Sequence, residues 1–363
     1  MSSHNEDQRL ISEDQRLISY VDALCEAVDQ EMERDLDVFV FGQDVDDHKA
    51  ILGSTNGLQE KFGFDRVFNT PLSEDAMTGV AIGAAMAGMR PIHVHIRMDF
   101  LTLCINQLIN MAAKSHYMFG GAVKVPMVVR SIIGKSWGQG PQHSQALHSL
   151  FAHVPGLKVV APSNAHDAKG CMIAAIRDNN PVIFTEHRLL YYTEAYVPKE
   201  PFIVPFGKAR VCTNGDDITL VGISNMVMEC MQVYDILAEE GISVEIIDPI
   251  SVVPLDIDTI LVSARRTGRL LVVDNAWTSC GISAEILACV SERLEPDEHL
   301  VLQRMGFAPT TCPTTPPLEN LFYPNPLTIA QKAYIMVRPD VRDWRPDPAR
   351  AKLAYQSQFK GPF

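Results

Sequence analysis

Two residues stand out for the chemistry their surroundings would allow. Glu74 lies in NTPLSEDAMTGVAIGAAMAG at 69–88, immediately before a helix built largely of small residues. A carboxylate there either caps the helix, where exposed backbone N–H groups favour negative charge, or is placed to handle protons. His143 lies in the glycine-rich loop GKSWGQGPQHSQ at 134–145. An imidazole exchanges a proton near neutral pH, and loops at strand ends of parallel sheets are where ligands sit; a lone loop histidine is also commonly just packed. The loop lacks the GxxxxGK[ST] order of a phosphate cradle, and no GxGxxG follows the first strand. His93 and His95 alternate on one strand and so face one side, but with His116 they lack a compelling metal-ligand spacing. Asp44, Asp46 and Asp47 lack the length and closing Glu of a calcium loop.

These residues need a scaffold, and the hydrophobic periodicity supplies one. Val21, Leu24, Cys25, Val28 and Met32 recur at helical spacing over 20–34, and DVFVFG at 37–42 reads as a buried strand. Further strands are expected at 91–96, 126–131, 158–163 and 181–187, with helices at 101–118 and 167–179. Such alternation implies a parallel sheet covered on both faces. That first domain spans 16–195 and a proline-punctuated linker spans 196–206. Strands at 217–224, 243–249 and 269–277, with helices at 227–240, near 256–265 and at 327–337, make a second, smaller α/β domain over 207–337. Residues 1–15 read as a flexible extension: DQRLISE at 7–13 is echoed by DQRLISY at 14–20, and only the second copy starts the fold. The tail 338–363 has no apolar periodicity and is either disordered or wraps onto a partner.

Composition narrows the function classes. With 363 residues, 47% hydrophobic and 21% charged, the chain has the profile of a globular protein. A formal charge of −13 argues against nucleic acid or an anionic membrane as the main partner. Eight cysteines without a CxxC pair, and no leader or spanning segment in the sequence, point to free thiols in a cytoplasmic, soluble protein.

The ordered blocks TPLSE, GVAIGAAMAGMRPI, DFLTLCINQLINMAAK, GGAVKVP, GQGPQHSQ, PGLKVVAPS, DAKG, AAIRDNNPVIF and RRTGRLLVVDNAW carry a resemblance across about residues 20–337. The chain resembles the β subunit of the E1 component of pyruvate and branched-chain 2-oxo acid dehydrogenase complexes. The resemblance implies a pyrimidine-binding domain followed by a transketolase C-terminal-like domain, and thiamine diphosphate as cofactor. Glu74 matches the glutamate that hydrogen-bonds N1′ of the aminopyrimidine, Phe100 the aromatic residue packed on that ring, and His143 the histidine serving substrate-proton and acyl-transfer steps. AIRDNNP matches a potassium site built mainly from backbone carbonyls, around Ala175, Ile176, Asp178 and Asn180. The GDG-type signature that holds the diphosphate and Mg²⁺ does not occur in the sequence. An α-type subunit must therefore supply it, in an α₂β₂ heterotetramer inactive as the β chain alone, with a lipoyl-bearing acyltransferase as acyl acceptor.

Two departures from that family pattern bear on the reaction. Gln43 stands on the cofactor side where FGEDV-like sequences carry a glutamate; it can hydrogen-bond but cannot relay a proton. Arg97 stands where a neutral residue is usual, and either recognises an acidic or phosphorylated substrate or ends a strand in a salt bridge. Oxidative decarboxylation of a 2-oxo acid leads; a split transketolase-like or acyloin-forming carboligase is the alternative, and a non-catalytic regulatory subunit a third reading.

Overall fold

The computed structural model describes residues 15–47, 51–135 and 138–351. The first copy of the heptapeptide echo, and almost all of the expected 1–15 extension, lie outside the described residues. The second copy opens the fold as expected: Ser19 caps the helix Tyr20–Arg34, its Oγ accepting from the Asp22 N–H.

The amino-terminal half contributes β1 (Gln15–Ser19), β2 (Val38–Gly42), β3 (Val67–Asn69), β4 (Arg90–His95), β5 (Val128–Ile133), β6 (Lys158–Val160), β7 (Val182–His187) and β8 (Glu194–Pro198). The carboxyl-terminal half adds β9 (Arg210–Thr213), β10 (Ile218–Gly222), β11 (Val244–Asp248), β12 (Ser251–Val253), β13 (Arg269–Trp277) and β14 (Val301–Phe307). A seven-stranded sheet has the order β12-β6-β7-β5-β4-β2-β3, and a five-stranded sheet the order β14-β13-β10-β11-β9. β2, β5 and β7 are buried at every position, as strands covered on both faces must be; β2 reads as a continuous apolar run, whereas β5 and β7 also bury the Arg130–Glu186 pair.

Both sheets contain a point where the winding reverses. From β2 the chain adds β3 on one side and then β4 on the other; from β10 it adds β11 on one side and then β13 on the other. Crevices at the carboxyl ends of these strand pairs are the natural ligand positions of open α/β sheets.

Several expectations are corrected by the tertiary structure. β12 belongs by sequence to the second domain, yet it pairs antiparallel with β6 and so welds the two sheets. The expected helix 101–118 starts earlier, at Met98, and passes through a π turn at Gln107–Ala112 before ending at Met118. The linker 196–206 is packed rather than free: β8 pairs with β1, and Val197 and Val204 are buried. The tail, as far as Ala351, folds back onto its own domain, with Trp344 stacked on Tyr334 at 4.1 Å and Arg350 paired with Glu239. All eight cysteines are free, and no helix among the described residues is long and apolar enough to cross a membrane.

Candidate functional site

The first switch point, between β2 and β4, gathers the residues singled out in the sequence. Gln43 follows β2 directly, and its Nε2 donates to Glu74 Oε1 at 3.0 Å across thirty-one positions of sequence. Glu74 is the first residue of the helix Glu74–Met86 rather than a residue before it, and Ser73 makes no side-chain cap. The carboxylate is half-buried and Gln43 is buried. Capping and chemistry are therefore compatible roles for one group: the dipole holds the charge, and the amide fixes one oxygen.

Phe100 and His143 form the second pair. Phe100 sits one turn beyond β4, and the His143 ring meets it edge to face at 5.2 Å between centroids and 80° between planes. Both are half-buried. The loop that carries His143 is fixed from several directions. Arg188, one residue past β7, donates through Nη2 to the His143 carbonyl at 3.0 Å and through Nη1 to Gln139 Oε1 at 3.0 Å. Asp99 Oδ1 accepts from the Gln145 backbone N–H and side-chain amide at 3.2 and 2.8 Å. Gly138 has φ +71°, and a Cβ there would overlap the Thr314 carbonyl, so the loop also lies against the second domain.

Arg97 does not end its strand in a salt bridge with any described residue. Its guanidinium donates to the Ile96 carbonyl at 3.1 Å and to the same Gln139 Oε1 at 3.3 Å, and it is buried. Two guanidiniums thus meet at one amide oxygen beside the His143 loop. Burial pushes both below the usual arginine range; for Arg188, desolvation with Arg97 nearby brings it to about 9.

His93 and His95 are buried beneath Glu74. His93 stacks on Phe41 at 4.6 Å, its Nδ1 lies 3.4 Å from the Phe41 carbonyl, and His95 Nε2 lies 3.5 Å from Thr78 Oγ1. Desolvation lowers both, His95 to about 4, so they are neutral packing groups at physiological pH. No group of metal-ligating side chains is found among the described residues.

The helix end expected to hold potassium is arranged around a cation of the chain's own. Arg90 Nη1 donates to the carbonyls of Ile176 and Asp178 at 2.9 and 3.1 Å, and the Ala175 carbonyl accepts from the Asp178 N–H at 3.2 Å. The Asp178 carboxylate pairs with Lys158 and accepts from the Asn180 backbone and side chain at 2.9 and 3.0 Å.

Arg188, Gln139 and Asp99 had not been singled out in the sequence. Arg188 carried one signal, its place just past the end of a parallel strand; the others are recognisable only once the loop is folded.

An apolar surface adjoins the site. Leu72, Val80 and Leu103 are 82%, 54% and 58% exposed on and beside the two helical segments that carry Glu74 and Phe100. Exposed apolar side chains on site-bearing segments make a candidate interaction face.

The chain matches the transketolase pyrimidine binding domain over residues 16–194 and the transketolase C-terminal domain over 207–329. It is 43% identical over 321 residues to the acetoin:2,6-dichlorophenolindophenol oxidoreductase subunit beta of Cupriavidus necator, covering 86% of this chain and 95% of that one. It is 41% identical over 275 residues to the human mitochondrial pyruvate dehydrogenase E1 component subunit beta, covering 75% of this chain and 77% of that one. Among solved structures, a split gene transketolase in an inactive beta4 tetramer superposes with a TM-score of 0.67 at 18% identity, over 94% of this chain and 98% of the other, which speaks for the fold. With its two matched domains, its switch-point acid and its paired Phe100 and His143, the chain belongs to the family of E1-type β subunits that includes those of pyruvate dehydrogenase and of the acetoin oxidoreductases.

Proposed function

We propose that this chain is the β-type half of a thiamine-diphosphate-dependent enzyme that decarboxylates a 2-oxo acid and passes the acyl group to a lipoyl-bearing acceptor. The observation that carries the reading is the arrangement at the first switch point: an amide-held glutamate and an aromatic–histidine pair, each half-buried. The residues fit the aminopyrimidine end of the cofactor. Glu74 would hold or move a proton at the ring nitrogen, Gln43 keeps the carboxylate in place, and Phe100 packs against the ring and excludes water. When bound, the cofactor supplies the electron sink for decarboxylation. His143, held through its own carbonyl by Arg188, would exchange protons with the substrate and the acyl acceptor.

The diphosphate and Mg²⁺ fall to an α-type partner in an α₂β₂ assembly, which the apolar face around Leu72, Val80 and Leu103 would meet. A potassium ion at Ala175, Ile176, Asp178 and Asn180 would share the carbonyls of Ile176 and Asp178 with Arg90; each carbonyl has two lone pairs, so the two cations compete at close range.

Acyloin cleavage is the second reading, favoured by the 43% identity to an acetoin oxidoreductase subunit. The deciding experiment mixes the chain with its co-purifying partner and thiamine diphosphate, and follows CO₂ release from linear, branched and dicarboxylic 2-oxo acids beside aldehyde release from acetoin. CO₂ release that needs both chains supports the proposal; acetoin cleavage without CO₂ moves the assignment to the second reading. Neither activity from a cofactor-loaded complex would overturn both.

A further inference from the structure

The second sheet has a switch point of its own, between β10 and β13, and nothing in the reaction above uses it. A cavity of about 210 Å³ lies there, where the carboxyl ends of β10 and β13 face those of β5 and β7 from the other domain. Asn225, three residues past β10, and Asn275, near the end of β13, line it together with Glu229, Lys135, His187 and Tyr323.

Three features make this a built site rather than a packing fault. Asn275 is 1% exposed, and neither its Oδ1 nor its Nδ2 finds a hydrogen-bond partner; Asn225, 2% exposed, leaves its Oδ1 unpaired. Such groups are rare in native interiors because each unmet one costs its desolvation. The cavity also sits at the place where open α/β sheets bind ligands. Finally, its neighbours lead directly to the catalytic loop: Lys135 opens the stretch that carries His143, and His187 precedes Arg188, which holds the His143 carbonyl.

The lining decides the ligand class. Lys135 and Glu229 contribute one charge of each sign, so no net charge is called for. The helix Met226–Ala238 starts here, but its first N–H groups are already taken by the carbonyls of Ile223, Ser224 and Asn225 at 3.1, 3.1 and 3.0 Å, which leaves no anion cradle. Asn275 needs both a donor and an acceptor from its partner, and Asn225 a donor; hydroxyl groups supply both. Met226, Leu189 and Tyr323 provide apolar walls. The volume is below the roughly 300–1,000 Å³ of pockets that enclose drug-sized ligands, which suits a ligand smaller than a nucleotide.

We propose that this interdomain cavity binds a small, uncharged polyol or monosaccharide through Asn225 and Asn275, as a site separate from the catalytic one. Binding is read without turnover, so the test does not depend on the reaction assigned above. The reconstituted complex with its α-type partner would be titrated with glycerol, myo-inositol and D-glucose by saturation-transfer NMR, with glycine and inorganic phosphate as charged controls. Saturable binding of a polyol, weakened at least tenfold by Asn275→Leu and by Asn225→Leu, is the expected result. Because either asparagine change could impair folding, Leu327→Trp, a half-buried wall position outside the sheet, fills the cavity independently and should abolish the signal at an unchanged melting temperature. Binding that survives Leu327→Trp, a preference for glycine or phosphate, or no saturation by any polyol would each overturn the proposal.

Discussion

Replacing Asp248 by asparagine should make the protein more stable at pH 8 and flatten its stability between pH 4 and 7. Asp248 ends β11 at the seam between the two domains, where its carboxylate accepts from Ser163 of the first domain and from the Ile250 N–H at 2.8 Å. It is fully buried, and desolvation, aided by the nearby Asp167, raises it from 3.8 to about 7 against the lowering effects of those hydrogen bonds and Arg210. The folded state therefore keeps a proton between about pH 4 and 7 that the unfolded chain has lost, so stability falls as pH rises through that window. Three pH units at about 1.4 kcal/mol each give a cost of about 4 kcal/mol above pH 7, with about 2 kcal/mol as the lower figure if the seam relaxes. Asparagine retains the shape and an acceptor for the Ile250 N–H, and carries no charge to desolvate. The assay is the apparent melting temperature of parent and Asp248→Asn complexes from pH 4.5 to 8.5. A gain of several degrees at pH 8 that shrinks toward pH 4.5 is expected. Parallel curves, or a variant less stable at pH 8, would refute the reasoning.

Four further outcomes follow from the same contacts. Glu74→Gln should abolish cofactor-dependent hydrogen–deuterium exchange at the thiazolium C2 while leaving assembly with the α-type partner intact; equal exchange rates in variant and parent would defeat that role. His143→Ala should preserve cofactor affinity but lower turnover by about 10²-fold or more, the usual scale for a positioned general acid–base group, and unchanged rates with the acceptor would count against it. Glu186→Gln should cost about 3 kcal/mol in denaturant unfolding, because it removes the charge opposite the buried Arg130 and leaves one acceptor oxygen where Arg130, at 2.6 and 2.9 Å, and Tyr191, at 2.7 Å, now share two. Exchanging potassium for sodium should lower the melting temperature of the parent, and lower that of Arg90→Ala further, because in the variant the Ile176 and Asp178 carbonyls serve one cation instead of two; no ion dependence in either protein would exclude the site.

The long elements were legible in the sequence. β2 is a run of buried apolar residues, β5, β7 and β13 carry apolar runs interrupted by buried polar groups such as Arg130, Glu186 and Asp274, and the helix Tyr20–Arg34 repeats its apolar face every three or four positions, so local pattern and final burial largely agree. The sequence also pointed to Glu74, Phe100 and His143 through ordered motif blocks. What it lacked was everything set by contacts between distant segments. β3, β9 and β12 are three or four residues long, too short for a period to show, and each exists because a neighbouring edge supplies hydrogen bonds. The pairing of Gln43 with Glu74 depends on β2 and the Glu74 helix reaching one switch point. The grip of Arg188 on the His143 loop joins residues forty-five apart, and the unpaired amides of Asn225 and Asn275 become neighbours of one cavity only when β10 and β13 lie side by side. Side-chain type is written locally, but burial and hydrogen-bond satisfaction belong to the assembled sheets, so only the tertiary structure decides which polar groups are held and which stay open for a ligand.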